Sequence, residues 1–222
     1  MKNNKYVKNF SNHINLFFDN PLYYSDGKNR RAFFLDRDGV LIKDKHYISN
    51  PDEVSLEDGV LDFLSYLYDS KIPVIVITNQ SGIARGLFNW NDYEAVTEKL
   101  LKLLGDKNPI IGIFANGLKS DSFNKSWRKP NPEMILVASY LLNIDIENSF
   151  LIGDRLTDIK AADNAGIKNI IHVRTGHGRK ERDNVEKFFI DKIHKQKVSE
   201  KEVKILYCEN LNSYSQFFTK KY

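Results

Sequence analysis

A chain of 222 residues, 41% hydrophobic and 28% charged, is long enough to bury one substantial core and has neither a disordered nor a membrane-embedded composition. Its formal charge of +4 is spread along the sequence rather than gathered into a basic stripe, which suits a small phosphorylated partner better than nucleic acid. The single Cys208 excludes an internal disulfide, and without an apolar leader or an apolar run of about 18 residues the expected setting is the cytoplasm, away from membranes.

In chain order, Val7, Phe10, Ile14, Phe17 and Phe18 stand at helical spacing, so residues 5–18 are predicted to form a short amphipathic helix packed on the domain. A turn-rich stretch, residues 20–29, completes an N-terminal extension of residues 1–30. From Arg31 the pattern becomes short apolar runs alternating with helical segments, the signature of a parallel sheet covered on both faces. Strands are predicted at 32–35, 73–78, 110–115, 149–152 and 169–173, with helices at 58–69, 91–104, 132–142 and 157–165. Residues 179–202 are highly charged and read as a solvated excursion or an exposed helix, before a last strand at 203–207 and a helix at 211–218. The expectation is one α/β domain over residues 31–222, a monomer or weak homodimer.

In such sheets ligands collect at the carboxyl ends of the strands. The first strand runs into Asp36-Arg37-Asp38-Gly39, two carboxylates close together at the end of a buried run, where a divalent cation would relieve their repulsion. A later strand runs into Gly153-Asp154-Arg155-Leu156-Thr157-Asp158, a second acidic set able to flank the same cation. Thr78-Asn79-Gln80-Ser81-Gly82 offers hydroxyl, amide and backbone donors for phosphate oxygens, and Arg128-Lys129 supplies two cations just before a helix.

Together these motifs resemble the haloacid dehalogenase (HAD) superfamily of phosphohydrolases. The longer strings Phe34-Leu35-Asp36-Arg37-Asp38-Gly39, Thr78 to Gly86 and Arg128-Lys129-Pro130 resemble the branch that acts on heptose bisphosphate and histidinol phosphate. The resemblance implies a Rossmann-like sheet with minimal cap and a magnesium-dependent reaction through an aspartyl-phosphate. It implies Asp36 as nucleophile, Asp38 as acid and base, Thr78 on the phosphoryl group and Lys129 beside the nucleophile. Asp36, Asp38 through its backbone carbonyl, and Asp154 would hold Mg2+, with Asp158 behind them. Asn79, Ser81, Arg85 and Arg128 would contact substrate. Relatives often carry a zinc loop of three cysteines and a histidine before the Arg-Lys-Pro string, whereas residues 116–127 hold neither residue type, so no zinc is expected. The spacings leave room only for a small flap over residues 42–57, with His46 in it; His172 and His177 receive no role.

Overall fold

The structure is a computed structural model that describes residues 6–11, 14–18, 30–119, 126–196 and 204–213, with side chains described from residue 30 onward except at 193–196. Eight strands are described: β1 (Tyr6–Ser11), β2 (Ile14–Phe18), β3 (Phe33–Leu35), β4 (Val74–Asn79), β5 (Ile110–Asn116), β6 (Phe150–Gly153), β7 (Asn169–Val173) and β8 (Lys204–Cys208). Five α-helices join them: α1 (Val60–Asp69), α2 (Trp90–Leu104), α3 (Glu133–Leu142), α4 (Leu156–Ala165) and α5 (Gly178–Gln196). The strands lie in the order β1-β2-β5-β4-β3-β6-β7-β8, and the six from β5 to β8 run parallel.

Strand period sorts the side chains into two cores. Phe33, Leu35, Val74, Val76 and Ile152 point to one face, where they meet Phe63, Leu64 and Leu67 of α1 and Val96 and Leu100 of α2. Their neighbours Phe34, Ile75, Ile77 and Leu151 point to the other face, against Met134 of α3, Ile159 of α4 and Val185 and Phe189 of α5. Burial on both sides explains why these strands read as continuous apolar runs.

The N-terminal segment corrects the sequence expectation, because residues 6–11 and 14–18 are strands and not one helix. β2 pairs antiparallel with β5, from Ile14 opposite Asn116 to Phe18 opposite Gly112, and β1 pairs antiparallel with β2. Apolar residues at 7, 10, 14, 17 and 18 fit a helical stripe, but without partners on the page of the sequence such a stripe cannot be told from clustered β-formers. The open backbone edge of the fully buried β5 supplies the hydrogen-bonding partner that decides the matter. The charged stretch that follows β7 takes the exposed-helix option as α5, with Val185 and Phe189 buried. Of the last expected helix, Leu211–Ser213 form a helical turn and the remainder falls outside the described residues.

Candidate active site

The chain moves outward from β3 through β4 to β5 and then returns to place β6 on the other side of β3. That reversal opens a crevice at the carboxyl ends of β3, β4 and β6, the ordinary ligand position of an open α/β sheet. Asp36 follows β3, Thr78 and Asn79 end β4, and Asp154 follows β6. The crevice is a cavity of about 250 Å3 whose walls include Asp36, Asp38, Ser81, Arg128, Lys129 and Asp158.

Lys129 is the centre of the charge arrangement. Its ammonium is buried and donates to the carbonyl of Ile77 at 2.9 Å, while lying 3.0 Å from Asp36 Oδ1 and 2.7 Å from Asp158 Oδ1. Burial alone would lower the Lys129 pKa, but Asp158 and Asp36 outweigh it and the net shift is upward, so the ammonium stays charged. Asn79 fixes this lysine in place: its Nδ2 donates to the Lys129 carbonyl and its Oδ1 accepts from the Lys129 N–H, both at 3.1 Å.

Asp36, Asp154 and Asp158 can offer oxygens within 4.8 Å of one another. Asp36 is pushed up to about 7, first by burial, against the pull of Lys129 and with further help from Asp158 and Asp38. Asp154 is also raised well above the usual carboxylate range, first by burial and then by Asp158 and Asp36. Its Oδ2 accepts the His177 N–H at 2.6 Å, whereas its buried Oδ1 has no hydrogen-bonding partner among the described residues. Asp158 is differently committed, because Oδ2 accepts the Arg155 N–H at 3.0 Å as a cap on α4 while Oδ1 faces Lys129. A hard dication fits this donor set: the oxygens are carboxylate, crowded and buried, and among the described residues Asp154 Oδ1 has neither a hydrogen bond nor an ion pair, while Asp158 Oδ1 has only its ion pair with Lys129.

Asp38 is held by Arg37, to which the sequence reading assigned no role, and by Gln80, expected among the donors to phosphate. Arg37, almost fully buried, donates from Nη2 to Asp38 Oδ1 at 3.0 Å and from Nε to Oδ2 at 3.1 Å. Gln80 donates from Nε2 to Asp38 Oδ2 at 2.8 Å and to Thr78 Oγ1 at 2.7 Å. Treating the middle residue of Asp-x-Asp as a spacer hides Arg37, although a cation between two carboxylates was a visible signal.

Ile42 bridges the flap to Asp38 and to Leu56, and Asp44, His46, Tyr47 and Ile48 of the flap line the crevice. Its Asp44 accepts from Arg155 Nη2 at 3.2 Å and lies 2.9 Å from His177 Nε2. Burial works against the Asp44 charge, but the His46 N–H, His177 and Arg155 together hold its pKa below the usual value. His46 and Tyr47 line the same cavity with positive φ angles of 49° and 64°. His177 and Asp44, absent from the sequence list, thus tie the flap to the ends of β6 and β7.

Arg128 lines the cavity, with Nη1 donating to the Leu118 carbonyl at 3.1 Å. Its pKa is lowered, first by burial and then by the nearby cations of Arg85 and Arg155. Arg85 itself is exposed and does not form part of the cavity wall. His172 is buried behind the site, its ring 3.0 Å from the Asp154 carbonyl and its pKa lowered to about 4, chiefly by burial and then by Arg182. It does not line the cavity.

The HAD-hydrolase-like family model matches residues 126–196. A D-glycero-beta-D-manno-heptose-1,7-bisphosphate 7-phosphatase from Escherichia coli K12 is 37% identical over 153 residues, covering 65% of this chain and 80% of that protein. The chain belongs to the HAD phosphatase family. A relative of the same name from Mesorhizobium japonicum is 36% identical over 147 residues, covering 61% of this chain and 66% of its own. The crystal structure of a D,D-heptose 1,7-bisphosphate phosphatase from B. bronchiseptica, complexed with magnesium and phosphate, superposes with a TM-score of 0.71 at 28% identity, over 86% of this chain and 99% of that one. This HAD phosphatase is built on a six-stranded parallel sheet with helices on both faces, extended at one edge by two antiparallel strands. Among the described residues no helix is long and apolar enough to cross a membrane.

One backbone contact in this HAD phosphatase has a measurable consequence. Gly39 and Gly176 have φ of 84° and 53°, and a Cβ on Gly176 would come within 2.3 Å of Asp154 Oδ2 and 2.6 Å of the Gly39 Cα. Gly176→Ala is therefore expected to displace Asp154 and lower kcat/KM for phosphate release by about 100-fold, the scale of an ångström-sized misplacement. Steady-state kinetics with a circular dichroism check of the fold would measure it, and near-wild-type turnover would show that the contact is slack.

Proposed function

We propose that this chain is a magnesium-dependent phosphomonoester hydrolase that removes the 7-phosphate of D-glycero-β-D-manno-heptose 1,7-bisphosphate through an aspartyl-phosphate on Asp36. The observation that carries the reading is the buried Lys129 ammonium set between Asp36 and Asp158, beside an Asp154 oxygen that has no hydrogen-bonding partner among the described residues. Asp36, Asp154 and the backbone carbonyl of Asp38 would hold magnesium; Asp158, whose two oxygens are already engaged, would act from behind. Bound there, magnesium would offset the negative charge shared by the nucleophile and the phosphoryl oxygens.

In the first step an Asp36 oxygen attacks phosphorus and the bond to the sugar oxygen breaks, with Asp38 giving its proton to the departing alkoxide. In the second, Asp38 takes a proton from water, water oxygen attacks phosphorus, and Asp36 leaves as a carboxylate. Lys129 holds Asp36 and offsets its charge throughout, while Thr78 and Ser81 receive the phosphoryl oxygens. Asn79 serves the substrate through Lys129, since both ends of its carboxamide are bound to that residue's backbone.

The choice of a bisphosphate is supported by the names of the relatives and by the crowding of like charge at the cavity mouth. Burial and the neighbouring Arg85 and Arg155 all work against the Arg128 cation, a cost that a second phosphate would remove. Arg85, from its exposed position, would add to this field rather than line the pocket. The same reading places the enzyme in the cytoplasm, acting on a small metabolite on the route to nucleotide-activated heptose for surface polysaccharide, as a monomer or weak homodimer and without zinc.

Phosphate release with magnesium should be compared for the β and α anomers of the heptose bisphosphate and for histidinol phosphate. The expected result is the highest kcat/KM with the β anomer. Preference for histidinol phosphate would overturn the substrate and leave the aspartyl-phosphate chemistry standing.

A further inference from the structure

The carboxylate of Asp38 is unequally solvated by its neighbours. Oδ2 accepts from Arg37 Nε at 3.1 Å and Gln80 Nε2 at 2.8 Å, with the Thr78 hydroxyl at 3.5 Å, whereas among the described residues Oδ1 accepts only from Arg37 Nη2, at 3.0 Å. The two braces are themselves linked, because Arg37 Nη2 also donates to Gln80 Oε1 at 3.1 Å. Arg37 is 1% exposed and lies over the ring of Tyr93 in α2, 5.0 Å from its centroid, so the guanidinium has a rigid floor.

Such a buried cation is a poor device for stability alone. Arg37 Nη1 is buried with no hydrogen-bonding partner among the described residues, and an apolar pair of similar volume would avoid that desolvation cost. What the arrangement achieves is orientation. Donors on both oxygens, Arg37 Nε and Gln80 Nε2 at Oδ2 and Arg37 Nη2 at Oδ1, set the plane of the carboxyl group and leave Oδ1 the less occupied of the two.

We propose that Arg37 and Gln80 are positioning residues for Asp38, fixing the plane of its carboxyl group and engaging Oδ2 so that Oδ1, the less occupied oxygen, serves the departing group. When the phosphorus–oxygen bond breaks, its electron pair goes to the sugar oxygen, the Oδ1 proton follows, and Asp38 is left as a carboxylate braced by both residues. The inference rests on the acid and base role given to Asp38 in the proposed function.

Leaving groups separate orientation from mere structure, because kcat/KM reports the steps up to departure. A sugar alkoxide needs the proton, whereas p-nitrophenolate leaves without it. In Gln80→Met and in Arg37→Lys, kcat/KM for the heptose bisphosphate is expected to fall by about 100-fold, within the usual range for lost general-acid help. With p-nitrophenyl phosphate the same variants are expected to lose no more than about 5-fold, and that retained activity also shows an intact fold. Lys keeps the charge at residue 37 but not the two-pronged geometry, so it tests orientation if the methionine variant does not fold. Equal losses with both substrates, or no loss with either, would overturn the inference while leaving the phosphatase reading intact. A wild-type enzyme that releases phosphate from neither would overturn that reading and the inference with it.

Discussion

Asp36→Asn is expected to release no phosphate above background, while the metal-free variant folds as the wild type does. The amide keeps the shape of the carboxylate but is too weak a nucleophile to form the phosphoryl ester. A second effect follows from burial. The Asp36 carboxyl titrates near 7 in the folded protein against 3.8 for the unperturbed group, so its proton is held more tightly folded than unfolded. A raised acid of this kind contributes stability that is complete below the unfolded value and is lost as pH rises through about 7. In EDTA, the wild type should therefore lose stability between acidic pH and pH 8 more steeply than Asp36→Asn, and the Tm difference between them should move in the variant's favour as pH rises. Thermal melts at several pH values measure this. A pH-independent Tm difference would contradict the burial argument, and retained turnover would sink Asp36 as the nucleophile.

Lys129→Met is the second large effect, on stability and activity together. The methionine would occupy much of the volume of the lysine stem but leave Asp36 and Asp158 facing each other in a buried site without their shared cation. Removing one partner of a buried ion pair costs about 3–5 kcal/mol, because the surviving charge has no partner and little water. The loss is expected to be largest at alkaline pH, where Asp36 must ionise, and smaller in acid, where it can take up a proton. Urea denaturation at two pH values reads the stability. Phosphate release should fall about 1,000-fold or more, since the lysine both orients the nucleophile and offsets charge in the transition state. A variant with normal urea sensitivity would mean that the two carboxylates find other compensation.

Much of this site is legible from local sequence. Asp36, Asp38, Thr78, Asp154 and Lys129 each stand at a strand end or a helix lead-in, and the structure sets Asp36, Asp38 and Lys129 in the cavity wall, with Thr78 and Asp154 buried at the ends of β4 and β6. Their legibility comes from the sheet itself: apolar runs of strand length announce where a parallel strand stops, and polar residues just beyond can only lie at its carboxyl end. Asn79 and Arg85 were harder to place. An amide after a strand can bind ligand or backbone equally well, and only the distance to Lys129 shows that Asn79 binds backbone. Arg85 falls within the same string as Thr78, yet it stays exposed outside the cavity wall while Arg128, 43 positions along, lines it.

What the sequence by itself determined is therefore the α/β layering from Arg31 onward and the chemical identity of the acidic and basic groups at the strand ends. Hydrophobic period and run length are local properties, and they suffice for those features. The tertiary structure alone decided that residues 6–18 extend the sheet as strands, because the choice between helix and strand there depended on the open edge of β5 nearly a hundred positions later. It also decided the two contacts that shape the site from a distance, Asp44 of the flap on Arg155 and Gly176 against Gly39. No local pattern encodes such pairs: each partner is an ordinary loop residue until folding sets one against the other at hydrogen-bonding or van der Waals distance.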